Sequence, residues 1–253
     1  MENRIAPDAP FDAWNAALEQ RHLADLTPSE VGRALRALSS CYVERRARLA
    51  EGAALETAGK RAAFALFYAP LHFLTTAHIL EALPVDRKLR ALVDLGCGTG
   101  SAGAAWALHS PGARLTGFDR HPWAVAEANW TYRRLGVNGK ALRQDLTRVR
   151  IDAAPGLGVV ASYAVNELPD AARDAWLSKL MTVVRQGATV LVIEPIARRM
   201  APWWRSWEEA FAGAGGRSDE WRFATVLPAR QRQLAKSAGL NPRELTARTL
   251  FAG

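Results

Sequence analysis

The chain has 253 residues, 49% of them hydrophobic and 23% charged, with a formal net charge of +8. These proportions exclude an intrinsically disordered chain and allow a sizeable buried core. Two cysteines, Cys41 and Cys97, are too few for a disulfide scaffold and lack the spacing of a metal site, so reduced thiols in a cytoplasmic protein are expected.

From the N-terminus, Met1-Glu2-Asn3-Arg4 offers no apolar signal core. Residues 11–83 read as helices. Thr27-Pro28-Ser29-Glu30 is a helix start, with Thr27 as N-cap, Pro28 at N1 and Glu30 at N3. Val31, Ala34, Leu35 and Leu38 then follow at helical spacing. Ala62–Leu83 is the one membrane candidate. It contains Pro70, His72, His78 and Glu81, each costly in lipid, so a buried helical region is expected, broken or kinked at Pro70, and no membrane association. Pro84 marks the passage into a second part. Residues 1–84 are therefore expected as a helical region that can serve as a substrate lid, and 85–253 as the catalytic domain.

From residue 90 strands and helices alternate. Strands are expected at Ala91–Leu95, Arg114–Asp119, Lys140–Gln144, Gly158–Tyr163, Thr189–Glu194 and Arg243–Phe251. Helices are expected at Ser101–Leu108, Pro122–Leu135, Asp170–Val184 and Ala229–Ala238. This order gives an α/β, Rossmann-like doubly wound fold with a mostly parallel sheet. Ligands of such sheets bind beyond the carboxyl ends of the strands.

The first strand ends in Asp94-Leu95-Gly96-Cys97-Gly98-Thr99-Gly100 and runs into a helix. Glycines let the chain turn tightly and a ligand approach the backbone, and the helix start offers free N–H groups. The second strand ends in Asp119, whose carboxylate can accept both hydroxyls of a ribose. Asp145 follows the third strand and can accept an adenine amino group. Each acid also has a plainer reading: Asp94 as a turn cap, Asp119 as a solvated turn acid, and Asp145 as the N-cap of a short helix at Leu146–Val149. Gly98-Thr99-Gly100-Ser101-Ala102-Gly103 also fits the G-x-G-x-x-G of nicotinamide dinucleotide enzymes. Against that, Asp94 would sit close to the pyrophosphate, and Asp145 would have no role.

Residues 90–195 resemble the class I S-adenosylmethionine-dependent methyltransferases. Their acidic-x-Gly-x-Gly-x-Gly motif is matched by Asp94, Gly96, Gly98 and Gly100, their second-strand acid by Asp119 and their adenine-side acid by Asp145. The resemblance implies S-adenosylmethionine as cofactor and S-adenosylhomocysteine as product. Asp94 and the glycine turn, with Cys97, would hold the methionine portion. Asp119 with Arg120 would hold the ribose, Asp145 with Leu146 would border the adenine, and Ser162 would close the site.

The acceptor side is expected at Ser162-Tyr163-Ala164-Val165-Asn166-Glu167-Leu168-Pro169, where Asn166 can orient an amide or base and Glu167 can act as a base. Tyr163 and Glu194 complete the catalytic candidates; no metal ligand is among them. Asn166 and Glu167 can equally serve only to open the next helix. This segment is neither Asn-Pro-Pro-Tyr nor a cysteine nucleophile loop, which disfavours exocyclic-amine and pyrimidine C5 chemistry. After Glu194-Pro195 come Arg198, Arg199, Trp203, Trp204 and Trp207, readable as a lid that stacks on a base or as a buried helical face, the latter favoured for Trp207. Gly213-Ala214-Gly215-Gly216 reads as a hinge or turn.

More loosely, Leu38–Tyr42, Phe67–Pro70, the Asn-Glu-Leu-Pro at 166–169 and the Glu-Pro at 194–195 resemble the ribosomal small-subunit methyltransferase-like assembly factors. Those commonly carry an iron–sulfur cysteine cluster after the fifth strand; here no cysteine follows Cys97, and Arg217–Phe223 occupies that region. Charge bears on the partner. Residues 1–84 hold nine basic and ten acidic side chains, and 85–253 hold twenty-four and fifteen, so the excess of +9 lies in the second part. A basic surface attracts RNA. Only five of the thirty-three basic residues are lysines, so an Ala/Arg-rich coding bias explains it too. Three readings stay open: a methyltransferase acting on RNA or a small-subunit component, one acting on a small molecule, and a non-catalytic assembly factor. The oligomeric state is not legible.

Overall fold

The computed structural model describes residues 9–44, 55–196, 201–225, 227–240 and 244–253. In chain order the elements are α1 (Ala9–His22), α2 (Pro28–Glu44), α3 (Ala58–Ala63), a π-helical turn (Phe64–Tyr68), α4 (Ala69–Ala82), β1 (Ala91–Leu95), α5 (Ser101–His109), β2 (Arg114–Asp119), α6 (Pro122–Arg134), β3 (Gly139–Arg143), β4 (Leu157–Ser162), α7 (Asp170–Arg185), β5 (Thr189–Glu194), α8 (Trp204–Gly213), β6 (Arg217–Ala224), α9 (Ala229–Ala238) and β7 (Glu244–Ala252). Arg198, Arg199 and Arg243 lie outside the described residues. The chain divides into two compact units, Met1–Leu74 with Phe223–Leu245, and Thr75–Arg222 with Thr246–Gly253. The sequence drew one cut at 84/85; the units divide at 74/75 instead, and the first also takes in α9.

In the first unit the expected capping box closes. Thr27 Oγ1 accepts from the Glu30 N–H at 3.3 Å and Glu30 Oε2 accepts from the Thr27 N–H at 2.8 Å, satisfying two amides at the start of α2. Pro70 does not break its helix. Ala58–Ala82 runs on as one apolar helix of 25 residues, long enough to cross a membrane by length and composition, with 67% of its most apolar window buried inside the molecule. Pro70 has no N–H to give the Leu66 carbonyl, four residues earlier. The chain widens into the π-helical turn there, and Gln231 Nε2 on α9 donates to Leu66 O at 2.8 Å and to Asn15 Oδ1 on α1 at 2.8 Å. A side chain far along the sequence thus replaces the bond that proline removes.

The second unit is built on a seven-stranded sheet in the order β3-β2-β1-β4-β5-β7-β6. The pairs β2–β3, β1–β2, β1–β4 and β4–β5 are parallel and β5–β7 is antiparallel. β5 is buried at every residue, as a central strand covered on both faces must be. Trp176, Leu180, Trp207 and Phe211 pack with Val159, Val190 and Leu250 in one apolar cluster. The strand ends shift by one residue from the expected positions of β3 and β4. β6, with its half-exposed polar pattern, and α8 carried no clear periodic signal.

Among the strands, Tyr132 of α6 is fully buried where glycines replace side chains. A Cβ on Gly100 would lie 2.6 Å from its ring, and one on Gly117 would lie 2.5 Å from its hydroxyl and 2.9 Å from Cys97 Sγ. The ring therefore sets the distance between α6 and the turn that follows β1. Gly117→Ala is expected to destabilise the protein by about 1–3 kcal/mol through overpacking, with part of the loss restored by adding Tyr132→Phe. Denaturant unfolding of the two variants checks this; no recovery in the double variant would contradict it.

Candidate functional site

At the carboxyl end of β1 the chain turns through Gly96, Gly98 and Gly100, all at positive φ (73°, 52° and 80°). Such angles are readily available only to glycine. Asp94 lies behind this turn, 1% exposed, and its Oδ2 accepts the Gly103 N–H at 2.9 Å. It thereby fills one of the unpaired amides at the start of α5 and places a negative charge at the positive end of the helix. Gly103 is small for this reason, since a Cβ there would lie 2.6 Å from Asp94 Oδ2. Asp94 Oδ1 is buried with no hydrogen-bond partner. Burial pushes the carboxyl up to about 7; the Gly103 amide opposes this and the Asp119 charge adds to it.

Asp119 closes β2 and grips two loops, its Oδ2 accepting the Gly98 N–H at 3.0 Å and its Oδ1 the His121 N–H at 2.8 Å. Arg120 is exposed, and its carbonyl accepts from Arg143 Nε at 3.2 Å. Cys97 is buried, and burial pushes its thiol well up, with the Asp94 and Asp119 charges adding to the effect. Asp145 is exposed and caps the turn Leu146–Arg148, its Oδ1 accepting from both the N–H and the hydroxyl of Thr147 at 2.8 and 2.7 Å. These bonds hold its carboxyl below the usual carboxylate range. The plainer reading of Asp145 as a cap is thus the one its hydrogen bonds express. Leu146 and Ala164 reach the glycine turn, where a Cβ on Gly96 would lie 3.4 Å from Leu146 Cδ1 and 2.6 Å from Ala164 Cβ. The loops after β1, β2, β3 and β4 therefore meet around one turn. Ser162, at the end of β4, keeps its Oγ buried with no partner.

Beyond Ser162, Tyr163 takes φ +56°, the one positive φ outside glycine among the described residues. That is a strained backbone for a bulky side chain. Its phenol is pushed up by burial and hydrogen-bonds with Thr75. The residues 165–167 form a single 3₁₀ turn before α7. Glu194, fully buried at the end of β5, holds that turn. Its Oε1 accepts the backbone N–H groups of Val165 and Asn166 at 2.9 and 3.1 Å, and its Oε2 accepts from Asn166 Nδ2. Asn166 Oδ1 in turn accepts from Trp203 Nε1 at 3.2 Å. Both polar ends of Asn166 are therefore taken up inside the protein, and Asn166 and Glu194 position the loop where catalytic roles were expected. Arg173 ties the same loop down through Val165 O and Leu168 O, and lies 5.1 Å from the Trp203 ring. Glu167 is exposed at the tip.

The lid reading of the tryptophans gives way to packing. Trp207 is fully buried, and Trp204 is buried beneath the Arg248 guanidinium at 3.9 Å with its Nε1 on Glu208. Trp203 is part-buried and edge-on to both. His121, which caps α6 through Trp123 N, carried no signal in the sequence, whereas Trp203 was legible as a lid candidate and Ala164 only as part of the acceptor-side segment. Among the described residues no group of three or more His, Cys, Asp and Glu side chains is placed to hold a metal ion.

Burial pushes Glu194 up to about 7 from its ordinary 4.5, against the three hydrogen bonds and the Arg248 charge, which favour ionisation. Between those two values the folded state holds a proton that the unfolded state has released. Its contribution to stability is thus fully present below about 4.5 and falls as pH rises toward 7. Asp94 adds the same trend. Glu194→Gln is expected to flatten this pH slope, as read by urea unfolding at several pH values. It also sets an amide nitrogen against Asn166 Nδ2, and Asn166→Asp sets two acids together. In the double variant the amide introduced at position 194 and Trp203 Nε1 would both donate to the carboxylate introduced at position 166, so most of each single loss, about 1–3 kcal/mol, should return. Simply additive losses would contradict the clamp.

The chain is similar over part of its length to known methyltransferases. A family model described as "Methyltransferase domain" matches residues 92–187. The chain is 44% identical over 66 residues to the ribosomal RNA large subunit methyltransferase G of Streptomyces coelicolor, a match covering 26% of this chain and 18% of that protein. Among solved structures, the precorrin-6y C5,15-methyltransferase of Geobacter metallireducens is 11% identical, with a TM-score of 0.49, over 71% of this chain and 87% of that one. A SAM-dependent methyltransferase of Aquifex aeolicus is 12% identical, with a TM-score of 0.48, over 73% and 92%. With the methyltransferase-domain match spanning β1 to the end of α7, and the strand order and antiparallel β7 described above, the sheet has the α/β, Rossmann-like fold of the class I S-adenosylmethionine-dependent methyltransferases.

Proposed function

We propose that this chain is an S-adenosylmethionine-dependent methyltransferase that acts on a nitrogen or oxygen of RNA. The observation that carries the reading is the convergence of four strand-end loops on one glycine turn backed by a buried acid. The residues suit the cofactor. Asp94 Oδ1 and Ser162 Oγ are orphaned polar atoms at the ends of neighbouring strands, and Gly98 on the turn carries no side chain. Asp119, whose two bonds leave further lone pairs, would take the ribose hydroxyls. The turn amides and Asp94 would take the amino acid end, with Leu146 and Ala164 bordering the rest. A dinucleotide is less well served, because Asp94 already occupies the Gly103 amide and sets a carboxylate where a pyrophosphate would need donors.

Bound there, S-adenosylmethionine supplies a methyl group already activated by its sulfonium. The protein's part is then to align the acceptor, exclude water and, where needed, take a proton. Glu167, exposed on the clamped 3₁₀ turn, is the base we assign; Asn166 and Glu194 keep that turn in place, and Tyr163 precedes it with its N–H on the Ile193 carbonyl and its phenol on Thr75. RNA as acceptor is supported by the local likeness to a ribosomal RNA methyltransferase of Streptomyces and by the basic charge of residues 85–253. A cytoplasmic site of action is part of the same proposal.

Tritium transfer from labelled S-adenosylmethionine into isolated ribosomal RNA and ribosomal subunits is the test. Label in RNA supports the proposal, and label only in a small-molecule fraction, or none with cofactor bound, overturns the acceptor. Asp119→Ala should weaken S-adenosylmethionine binding by roughly tenfold or more, about 1.4 kcal/mol, in a folded protein. Glu167→Gln should lower turnover more than cofactor affinity; unchanged turnover removes Glu167 from the mechanism.

A further inference from the structure

One stretch of the second unit carries all of that unit's net charge. Residues 114–150 hold eight Lys and Arg against three Asp and Glu, net +5, and the rest of the unit sums to zero. The coding-bias explanation would spread the excess evenly, and it is not spread. All eight cations are exposed: Arg114, Arg120, Arg133, Arg134, Lys140, Arg143, Arg148 and Arg150. The three acids do little to offset them outwardly, since Glu127 is buried, Asp119 is gripped by two backbone amides and Asp145 caps its own turn.

The topology gathers these residues at one side of the sheet. β3 is an edge strand, with Lys140 opposite Thr116 and Arg143 opposite Asp119. Arg114 begins β2, so the basic side spans a six-residue strand, about 20 Å. α6 packs over β2 and β3. Trp123 and Trp130, seven residues apart and thus on one helical face, are half-buried on it, and the helix ends in Arg133 and Arg134. Leu142, 41% exposed, is the one exposed large hydrophobic side chain among the described residues, and it lies on this edge. The edge is closed to strand addition by another protein, because Asn129 Nδ2 donates to Ala141 O at 3.0 Å and Asn129 Oδ1 accepts from Ala141 N at 2.9 Å. Cations in a row with aromatic faces among them suit a phosphate backbone and its bases. At its carboxyl end the row reaches Arg120 and Arg148, beside Asp119 and the Leu146 turn that border the cofactor site.

We propose that the β2–β3 edge with the outer face of α6 is the RNA-docking surface of this protein. The proposal rests on the methyltransferase reading only for the identity of the RNA as acceptor; the surface itself can be tested alone. The probe is a fluorescein-labelled stem–loop RNA followed by anisotropy at several salt concentrations. The test variant is Arg133→Glu with Arg134→Glu and Lys140→Glu. The control is Lys88→Glu with Arg185→Glu and Arg205→Glu, which changes net charge equally at exposed positions elsewhere. The edge variant should lose RNA affinity by roughly tenfold or more and shed about 2 from the slope of log K against log salt. The control should keep most of its affinity. Equal losses in both variants, or no loss in either, overturn the proposal. So does edge-dependent binding to phosphatidylserine vesicles without binding to RNA. Calorimetry with S-adenosylmethionine on the same edge variant separates the two claims. Edge-dependent RNA binding by a protein that ignores the cofactor sinks the enzyme reading and keeps the surface, and cofactor binding with edge-independent RNA binding does the reverse.

Discussion

The buried carboxylate of Asp94 is the constraint from which the site follows. A charge 1% exposed is costly to bury unless donors meet it, and here the donor is the start of α5. That bond fixes where the helix begins relative to the end of β1. It requires glycine at 103 and forces the intervening chain through three positive-φ residues. Leu146, Ala164 and Asp119 close around that turn. Tyr132, seated where Gly100 and Gly117 lack side chains, holds α6 and β2 at the spacing this turn needs.

A second buried acid, Glu194, does for the turn after β4 what Asp94 does for the turn after β1. β4 lies between β1 and β5, so the two acids flank the strand that leads into Tyr163 and the 3₁₀ turn. Both carboxyls are pushed up to about 7 by burial, which makes each a standing cost at neutral pH. What the cost secures is pre-organisation. Glu194 fixes two backbone amides and, through Asn166, the Trp203 indole at the start of α8. Under the proposed function this loop aligns the acceptor, and such a loop gains from being held in one conformation before the acceptor arrives.

The strands and the glycine turn were legible in the sequence because hydrophobic periodicity and glycine spacing are local signals. Trp207 was legible as a packing residue for the same reason. The roles of Asn166 and Glu194 were not, since they depend on residues nearly thirty apart meeting across strand ends. Asn166 was readable as orienting a ligand or as only opening the next helix, and both its ends are engaged inside the protein. Pro70 looked like a break or a kink, and the helix runs on through a π-helical turn; Gln231, 165 residues away from Leu66, supplies the missing donor, which no local pattern reveals. β6 was not legible as a strand because an edge strand with one half-exposed face lacks a strong apolar alternation. The cation row along β3 was visible only as a charge sum until the topology made 114–150 one side of a sheet.

The central claim is that this turn, with Asp94 behind it and Asp119 across it, is built for S-adenosylmethionine and not for a dinucleotide. Calorimetric titration of the protein with S-adenosylmethionine, and separately with NADH, tests it most directly. Saturable binding of S-adenosylmethionine with none of NADH is the expected result. Binding of NADH alone would contradict the account and give the G-x-G-x-x-G at residues 98–103 its other meaning.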